Sequence, residues 1–177
     1  MFDIQQEKIN TAGAYVCMHG LYLFTIGIRP HQGRIPIVRI GGHREGHETG
    51  WQCAVREVFE ETGLRIQPFS PPLTYWYDWD HLEAEPECLA WDAQNDPEPA
   101  PFLVIAHAQE QRTTLSLMYF AHTDGVPVPS AEVKGLLFLT AAEIHQLCQQ
   151  PTTLKAFLNR GGQAMLSGDF DLDSLLE

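Results

Sequence analysis

The chain has 177 residues, of which 44% are hydrophobic and 19% are charged, so it is long enough to form one domain with a substantial core. The 23 acidic and 11 basic residues give a formal charge of −12, and the few basic residues are not clustered, which argues against binding of duplex nucleic acid. No apolar stretch approaches the length of a membrane span, and the polar start of the chain does not resemble a signal peptide.

The first third of the chain is predicted to form strands that lead into one helix. Segments rich in β-branched and aromatic side chains predict three strands, over 12–18, 21–28 and 34–40. Thr49 is the expected N-cap of the helix, Gln52 completes a capping box with it, and Gly63 suits the left-handed position beyond its end. These signals predict a helix over 50–62 with a core-facing apolar stripe. The stripe comprises Trp51, Ala54, Val55 and Val58.

The rest of the chain adds strands and two more helices. Strands are predicted over 64–67, 101–107, 114–122 and 134–139, and the second and third of these form a hairpin. A second capped helix follows Thr140, with Glu143 as its capping partner, and Pro151 ends it. A final helix is predicted over 152–166, before an acidic tail over 168–177. Strands followed by helices, twice over, predict an α/β protein with a mixed sheet covered by helices.

The segment over 68–101 is unusual in composition. It holds seven of the twelve prolines, and its part over 78–98 has eight acidic residues and no lysine or arginine. One interpretation is a surface excursion whose aromatic side chains pack on the sheet. The other is a substrate lid or dimer arm in which Tyr75, Trp76 or Tyr77 stacks on a nucleobase.

The four cysteines are widely spaced and include no Cys-x-x-Cys pair. They are Cys17, Cys53, Cys88 and Cys148. Scattered cysteines without a recognisable signal peptide are typical of reduced, mostly buried thiols. We therefore expect a cytoplasmic protein.

Three glutamates of the first helix are the most informative feature. Glu57, Glu60 and Glu61 are spaced i, i+3 and i+4, so their carboxylates share one face, roughly 120° from the apolar stripe. Like charges this close repel one another unless a cation or a raised pKa compensates. Magnesium and manganese ions take carboxylate oxygens and bridge to phosphate, so the cluster predicts a metal site for a phosphorylated substrate. Taken alone, the three residues also fit a solvated acidic face.

A longer pattern surrounds these glutamates, namely Gly-x5-Glu-x7-Arg-Glu-U-x-Glu-Glu-x-Gly-U, in which U is aliphatic. The matching residues are Gly42, Glu48, Arg56, Glu57, Val58, Glu60, Glu61, Gly63 and Leu64. The chain thereby resembles the MutT-like Nudix hydrolase family, whose signature this pattern is. The resemblance implies an α/β/α sandwich with the signature as a loop-helix-loop at one edge. It also implies hydrolysis of a diphosphate linkage in a nucleoside diphosphate derivative, with Mg²⁺ or Mn²⁺ as cofactor.

The same resemblance implies the roles of individual residues. The implied metal ligands are Glu57, Glu60, Glu61 and the carbonyl of Gly41. Arg56 and Glu48 complete the catalytic set, with Glu48 contacting Arg56 or a metal-bound water. Gly42 lies where the backbone can approach a substrate phosphate. The catalytic base varies among relatives and is left open between Glu57, Glu61, Glu48 and Glu132, the last of which is in a later loop.

The sequence leaves the substrate and the oligomeric state open. Many relatives have proline in place of Ile40 and glycine in place of His47, and these differences bear on the loop geometry rather than on the ligands. The partner expected is a small phosphorylated molecule, and a homodimer is common among relatives. The main alternative function is a catalytically silent nucleotide-binding module on the same fold, and an isomerase acting on a diphosphate is another. The complete signature favours hydrolysis over both.

Overall fold

The computed structural model describes residues 8–27, 37–81, 83–90, 98–109, 112–150 and 152–168. Within these ranges, eleven strands form one mixed sheet, and three α-helices accompany it. The strands are β1 (Ile9–Met18), β2 (Leu21–Ile26), β3 (Ile37–Val38), β4 (Ile40–His43), β5 (Gln67–Phe69), β6 (Thr74–Asp78), β7 (Glu87–Leu89), β8 (Leu103–Gln109), β9 (Arg112–His122), β10 (Gly135–Leu139) and β11 (Gln163–Leu166). The helices are α1 (Gly50–Thr62), α2 (Ala141–Gln149) and α3 (Leu154–Asn159). The predicted α/β class is confirmed.

The main path of the sheet runs in the order β11-β10-β2-β1-β9-β8-β6-β7. The central strand β1 pairs parallel with β9 and antiparallel with β2. Strands β8 and β9 pair antiparallel, which confirms the predicted hairpin. Strand β5 pairs with β9 beside this path.

Strands β3 and β4 enter the sheet between β1 and β2. Strand β3 pairs with the end of β2, and β4 pairs with the first half of β1, so the chain changes partner across Arg39. This pairing sets Gly41 opposite Gly13 and Gly42 opposite Ala12. The predicted strand therefore continues through the glycine pair, instead of ending before it. The part of the prediction that covers 34–36 lies outside the described residues.

Helix α1 covers one face of the sheet. Because side chains alternate along a strand, Ala12, Ala14 and Val16 of β1 face the core under α1, and Gly13 and Tyr15 face the other side. That other side carries an aromatic cluster whose ring centroids are 4.4–6.4 Å apart. The cluster comprises Tyr15, Phe24, Tyr75, Phe102 and Phe120. Side chains from α2 and α3 form a second core with β2, β10 and β11.

Local signals set the ends of α1 as predicted. The Thr49 hydroxyl accepts from the backbone N–H of Gln52, the Gln52 side chain accepts from that of Thr49, and Gly63 is left-handed with φ 70°. The last carbonyls of the helix are satisfied from a distant loop, because the N–H groups of Val128 and Ser130 donate to Thr62 and Glu61. Helix α2 has the predicted capping box as well.

The predicted final helix is wrong in its second half. Helix α3 ends at Asn159, and the residues expected to continue it form β11 at the edge of the sheet beside β10. Gly161 has a φ of 91°, which stops the helix, and a Cβ on Gly162 would lie 2.2 Å from the ring of Phe157. The backbone N–H and C=O groups of residues 163–166 then form hydrogen bonds with β10 instead of bonds within a helix.

Three further expectations are corrected by the fold. The strand predicted over 64–67 begins at Gln67, where it pairs with β9. The segment over 68–101 contributes β6 and β7 to the sheet, with residues 82 and 91–97 outside the described ranges. Of the four free cysteines, Cys88 and Cys148 are exposed, so the expected burial is wrong for these two. Among the described helices, none is long and apolar enough to cross a membrane.

Candidate active site

Glu57 lies directly against the glycine pair of β4. A Cβ built on Gly42 would be 2.5 Å from the carboxylate atoms of Glu57, so only glycine leaves room for this side chain. Gly41 has a φ of 151°, and a Cβ there would be 2.5 Å from the carbonyl oxygen of Ala12. The pairing of β4 with β1 thus presents bare backbone to the carboxylates of α1.

Glu61 is the most perturbed carboxylate of the site. It accepts a hydrogen bond from the backbone N–H of Gly41, which lowers its pKa. Burial and the neighbouring charge of Glu57 outweigh this bond and raise the pKa of Glu61 to about 7, and Glu132 acts in the same direction. Its Oε2 atom is buried and has no hydrogen-bond partner within the described ranges. A buried anionic oxygen without a donor is costly, so this atom marks a place for a cation or a proton.

Arg56 connects α1 to the loop before it. Its Nε donates to Oε1 of Glu48 at 2.7 Å, and its Nη1 donates to Glu57 at 2.8 Å and to Glu60 at 2.9 Å. Its Nη2 donates to Oε2 of Glu48 at 3.1 Å and to the carbonyl of His43 at 2.9 Å. These bonds raise the pKa of Arg56 and lower that of Glu48. The N–H donors of Arg56 are therefore used in hydrogen bonds to residues within the signature segment.

The three glutamates of the helix are not equivalent. Glu57 and Glu61 approach the backbone of β4, whereas Glu60 is 47% exposed and bonded to Arg56. In the part of the chain that is described, no three His, Cys, Asp or Glu side chains are grouped closely enough to hold a metal ion. The donor set that does fit a hard divalent cation is two carboxylates beside the backbone of a glycine pair, with one buried carboxylate oxygen unpaired.

Glu132 is brought to the site by the loop that caps α1. Ser130 donates its backbone N–H to the carbonyl of Glu61, and two residues later Glu132 is exposed and close enough to raise the pKa of Glu61. The two residues are 71 positions apart in the chain, so the sheet and the loop create this proximity.

The three aromatic residues proposed for stacking do not share one surface. Trp76 packs against the core under α1, whereas Tyr75 and Tyr77 face the other side of the sheet. Strand pairing places Tyr75 in the same row across the sheet as Gly41, with β1, β9 and β8 between them. The two residues are therefore four strand spacings apart, or roughly 19 Å. Tyr15, which neighbours Gly13 on β1, is much nearer to the glycine pair.

Arg39 is a further residue of the site, and the sequence did not predict it. The charge of this residue acts on both Glu57 and Glu61, and its Nη1 lies 2.9 Å from the Cβ position of Gly41. The signal available was a lone arginine in an otherwise apolar stretch directly before the glycine pair. That signal does not say on which face of the sheet the side chain lies.

Comparison with known proteins places this arrangement in a family. The sequence model of the NUDIX domain matches residues 18–151. Among solved structures, a NUDIX-family hydrolase from Clostridium perfringens is 16% identical with a TM-score of 0.54, over 86% of this chain and 92% of that chain. A C. elegans Ap4A hydrolase in a binary complex is 12% identical with a TM-score of 0.50, over 86% of this chain and 98% of that chain. No curated protein matches the sequence closely enough to count as a relative.

Since the domain model spans most of the chain, the protein belongs to the Nudix family and is a hydrolase of the pyrophosphohydrolase type. This family hydrolyses nucleoside diphosphate derivatives, and its members generally need a divalent metal. The fold implied by the signature, a mixed sheet between helices, is confirmed.

Proposed function

We propose that this protein hydrolyses the diphosphate linkage of a nucleoside diphosphate derivative, with Mg²⁺ or Mn²⁺ held at Glu57 and Glu61. The observation that carries the proposal is the buried, unpaired Oε2 of Glu61, beside Glu57 and the backbone of Gly41. The formal charge of −12 repels a phosphorylated substrate, so a cation at this site provides the local attraction. A single domain over 1–177 would carry the activity.

The residues of the chain have separate tasks in this proposal. A bound divalent cation neutralises phosphate oxygens and lowers the pKa of water. Glu57 and Glu61 would hold the cation together with the carbonyl of Gly41, and Glu60, which is bonded to Arg56, would be a further ligand. Arg56 keeps the helix and the preceding loop in one arrangement, so that the carboxylates are preorganised for the transition state.

Glu132 is the base that the geometry favours. Glu48 has both oxygens bonded to Arg56 and a lowered pKa, so it is a poor proton acceptor. Glu57 and Glu61 are needed for the cation. Glu132 is exposed and near enough to Glu61 to raise its pKa, so we assign to Glu132 the proton of the attacking water.

The group attached to the diphosphate is proposed to lie on the face of the sheet that carries the aromatic cluster. Tyr15 is half-buried on this face next to Gly13, and an aromatic ring suits stacking on a nucleobase. Tyr75 and Tyr77, at the far side of the face, would contact only the distant end of a long substrate.

Phosphate release from a panel of nucleoside diphosphate derivatives tests the proposal. Each compound is incubated with Mg²⁺ or Mn²⁺, and a coupled phosphatase and malachite green report the product. Glu61→Gln and Glu60→Gln are expected to fold normally but to hydrolyse poorly, and Glu132→Gln is expected to lower kcat at least about a hundredfold, in line with general-base catalysis. Wild-type rates in Glu61→Gln would reject the site. Nucleotide binding without release of phosphate from any compound would instead support the silent binding module.

A further inference from the structure

Arg39 occupies a slot that two glycines leave open in the sheet. It is the one residue between β3 and β4, at the point where the chain exchanges β2 for β1 as its partner. Its Nη1 lies 3.0 Å from the Cβ position of Gly13 and 2.9 Å from that of Gly41. A side chain at either glycine would displace the guanidinium, which therefore lies over the backbone of β1 and β4.

Among the described residues, no acceptor is bonded to the guanidinium of Arg39. Across the described residues it makes no hydrogen bond and no ion pair, although it is half-buried. Burial lowers its pKa, while the charges of Tyr15 and Glu61 act in the opposite direction. A desolvated guanidinium without an anion is costly, because its planar fork of donors is matched to a carboxylate or a phosphate. Arg56, by contrast, is fully engaged by the signature carboxylates.

Gly41 lies between Arg39 and the carboxylates of α1. Its N–H donates to Glu61, and the Cβ position of Gly41, which is empty in glycine, lies 2.9 Å from Nη1 of Arg39. Glu57 and Glu61 are near enough to act electrostatically on Arg39, yet neither forms an ion pair with it. Because Gly41 has no side chain to separate the two groups, a diphosphate whose first phosphate is at these carboxylates would extend past Gly41 toward Arg39.

We infer that Arg39 binds the second phosphate of a diphosphate substrate through charge-assisted hydrogen bonds, and so determines specificity for diphosphates over monophosphates. The inference rests on the proposed function, since it takes the first phosphate to be held at Glu57 and Glu61. It goes further because it assigns a binding contact to a residue outside the signature. Arg39 acts in binding and transfers no proton.

Calorimetric binding of two probes tests this role without turnover. The probes are methylenediphosphonate, which has two phosphorus groups and no hydrolysable bridge, and inorganic phosphate, each with Mg²⁺. Loss of a hydrogen bond to a charged group lowers affinity roughly 10- to 100-fold. Arg39→Gln is therefore expected to lower the affinity for methylenediphosphonate by that factor. The affinity for inorganic phosphate should stay nearly unchanged. In assays of the enzyme, the same variant should raise KM and leave kcat close to the wild-type value.

Two variants control for charge and for folding. Arg65→Gln removes an exposed cation elsewhere and should keep the wild-type preference for methylenediphosphonate. Arg39→Lys keeps the charge but not the planar fork, and should bind with intermediate affinity. An unchanged preference in Arg39→Gln, an equal loss in Arg65→Gln, or a wild-type protein that does not bind methylenediphosphonate would each overturn the inference.

The two proposals can fail separately. Hydrolysis with the same KM in wild type and Arg39→Gln would overturn the role of Arg39 alone. Binding of methylenediphosphonate that depends on Arg39, in a protein that hydrolyses no diphosphate, would support that role and overturn the proposed catalysis.

Discussion

Arg56 and Glu48 form a two-point ion pair, with Nε to Oε1 at 2.7 Å and Nη2 to Oε2 at 3.1 Å. Each side chain is only 21% exposed, so the pair is better protected from solvent than an ordinary surface pair. Glu48 also accepts the backbone N–H of Glu45. The pair therefore fastens the loop over 44–49 to the middle of α1, where Arg56 also meets Glu57.

Glu48→Gln should destabilise the protein by about 1 kcal/mol at pH 7, because it removes the charge from this pair. The pKa of Glu48 is lowered in the folded protein, chiefly by its bond to Arg56. The pair's contribution is therefore complete above the ordinary pKa of 4.5 and is lost as the pH falls through the lowered folded value. Urea unfolding between pH 3 and pH 7 measures this, with Glu45→Gln as the control in the same loop. A difference from wild type that persists undiminished at the acid end would contradict it.

Glu61→Gln should stabilise the metal-free protein at pH 8 by about 3 kcal/mol. Burial and the charge of Glu57 raise the pKa of Glu61 from 4.5 to about 7, so the folded state holds a proton that the unfolded state has already released. Wild-type stability is therefore expected to fall as the pH rises from 4.5 to 7, and Glu61→Gln should remove this decline. Unfolding in EDTA across this range checks it. The exposed Glu85→Gln serves as control, and the same decline in both variants would refute the assignment.

Metal binding should release a proton from Glu61. At pH 7 this carboxyl is about half protonated, so binding of Mg²⁺ or Mn²⁺ is expected to displace about half a proton per ion. Calorimetric titration in two buffers with different ionisation enthalpies measures that number. Proton release should vanish in Glu61→Gln and persist in Glu85→Gln. Heats of binding that are the same in both buffers for wild type would count against a cation at Glu61.

Alanine at the two glycines of β4 should have different effects. Gly41→Ala combines a φ of 151° with a clash against the carbonyl of Ala12, so we expect a loss of at least about 2 kcal/mol of stability. In Gly42→Ala the atoms nearest to the new Cβ belong to the flexible end of Glu57, so the fold should survive while hydrolysis falls at least about tenfold. Thermal unfolding and rate measurements on both variants test this, with Gly168→Ala as a control in open space. Equal stability of the two variants would show that the backbone at Gly41 is not strained.

The start and end of α1 could be read from the sequence because their causes are local. The bonds between Thr49 and Gln52 join residues three apart, and the left-handed turn at Gly63 depends on that residue alone. The same holds for Thr140 and Glu143 in α2. The spacing of the signature glutamates likewise predicted which helix carries the site.

The final segment shows where local reasoning fails. Residues 163–166 have no breaker of their own, and their apolar character suits a helix or a strand. These residues form a strand because they pair with β10. In the chain, α2 and α3 lie between β10 and residues 163–166. Hydrogen bonds to a remote partner outweigh the weak local preference.

The sequence by itself determined the family signature, the helix that carries it and the class of fold, because each depends on residue types at short, fixed spacings. Only the tertiary structure decided which carboxylates meet the backbone of β4, and that Glu60 bonds to Arg56 instead. It also brought Glu132 to Glu61 and set Arg39 over Gly13. These neighbours are far apart in the chain or lie on a face that strand pairing selects, so the contacts exist only once the sheet has formed.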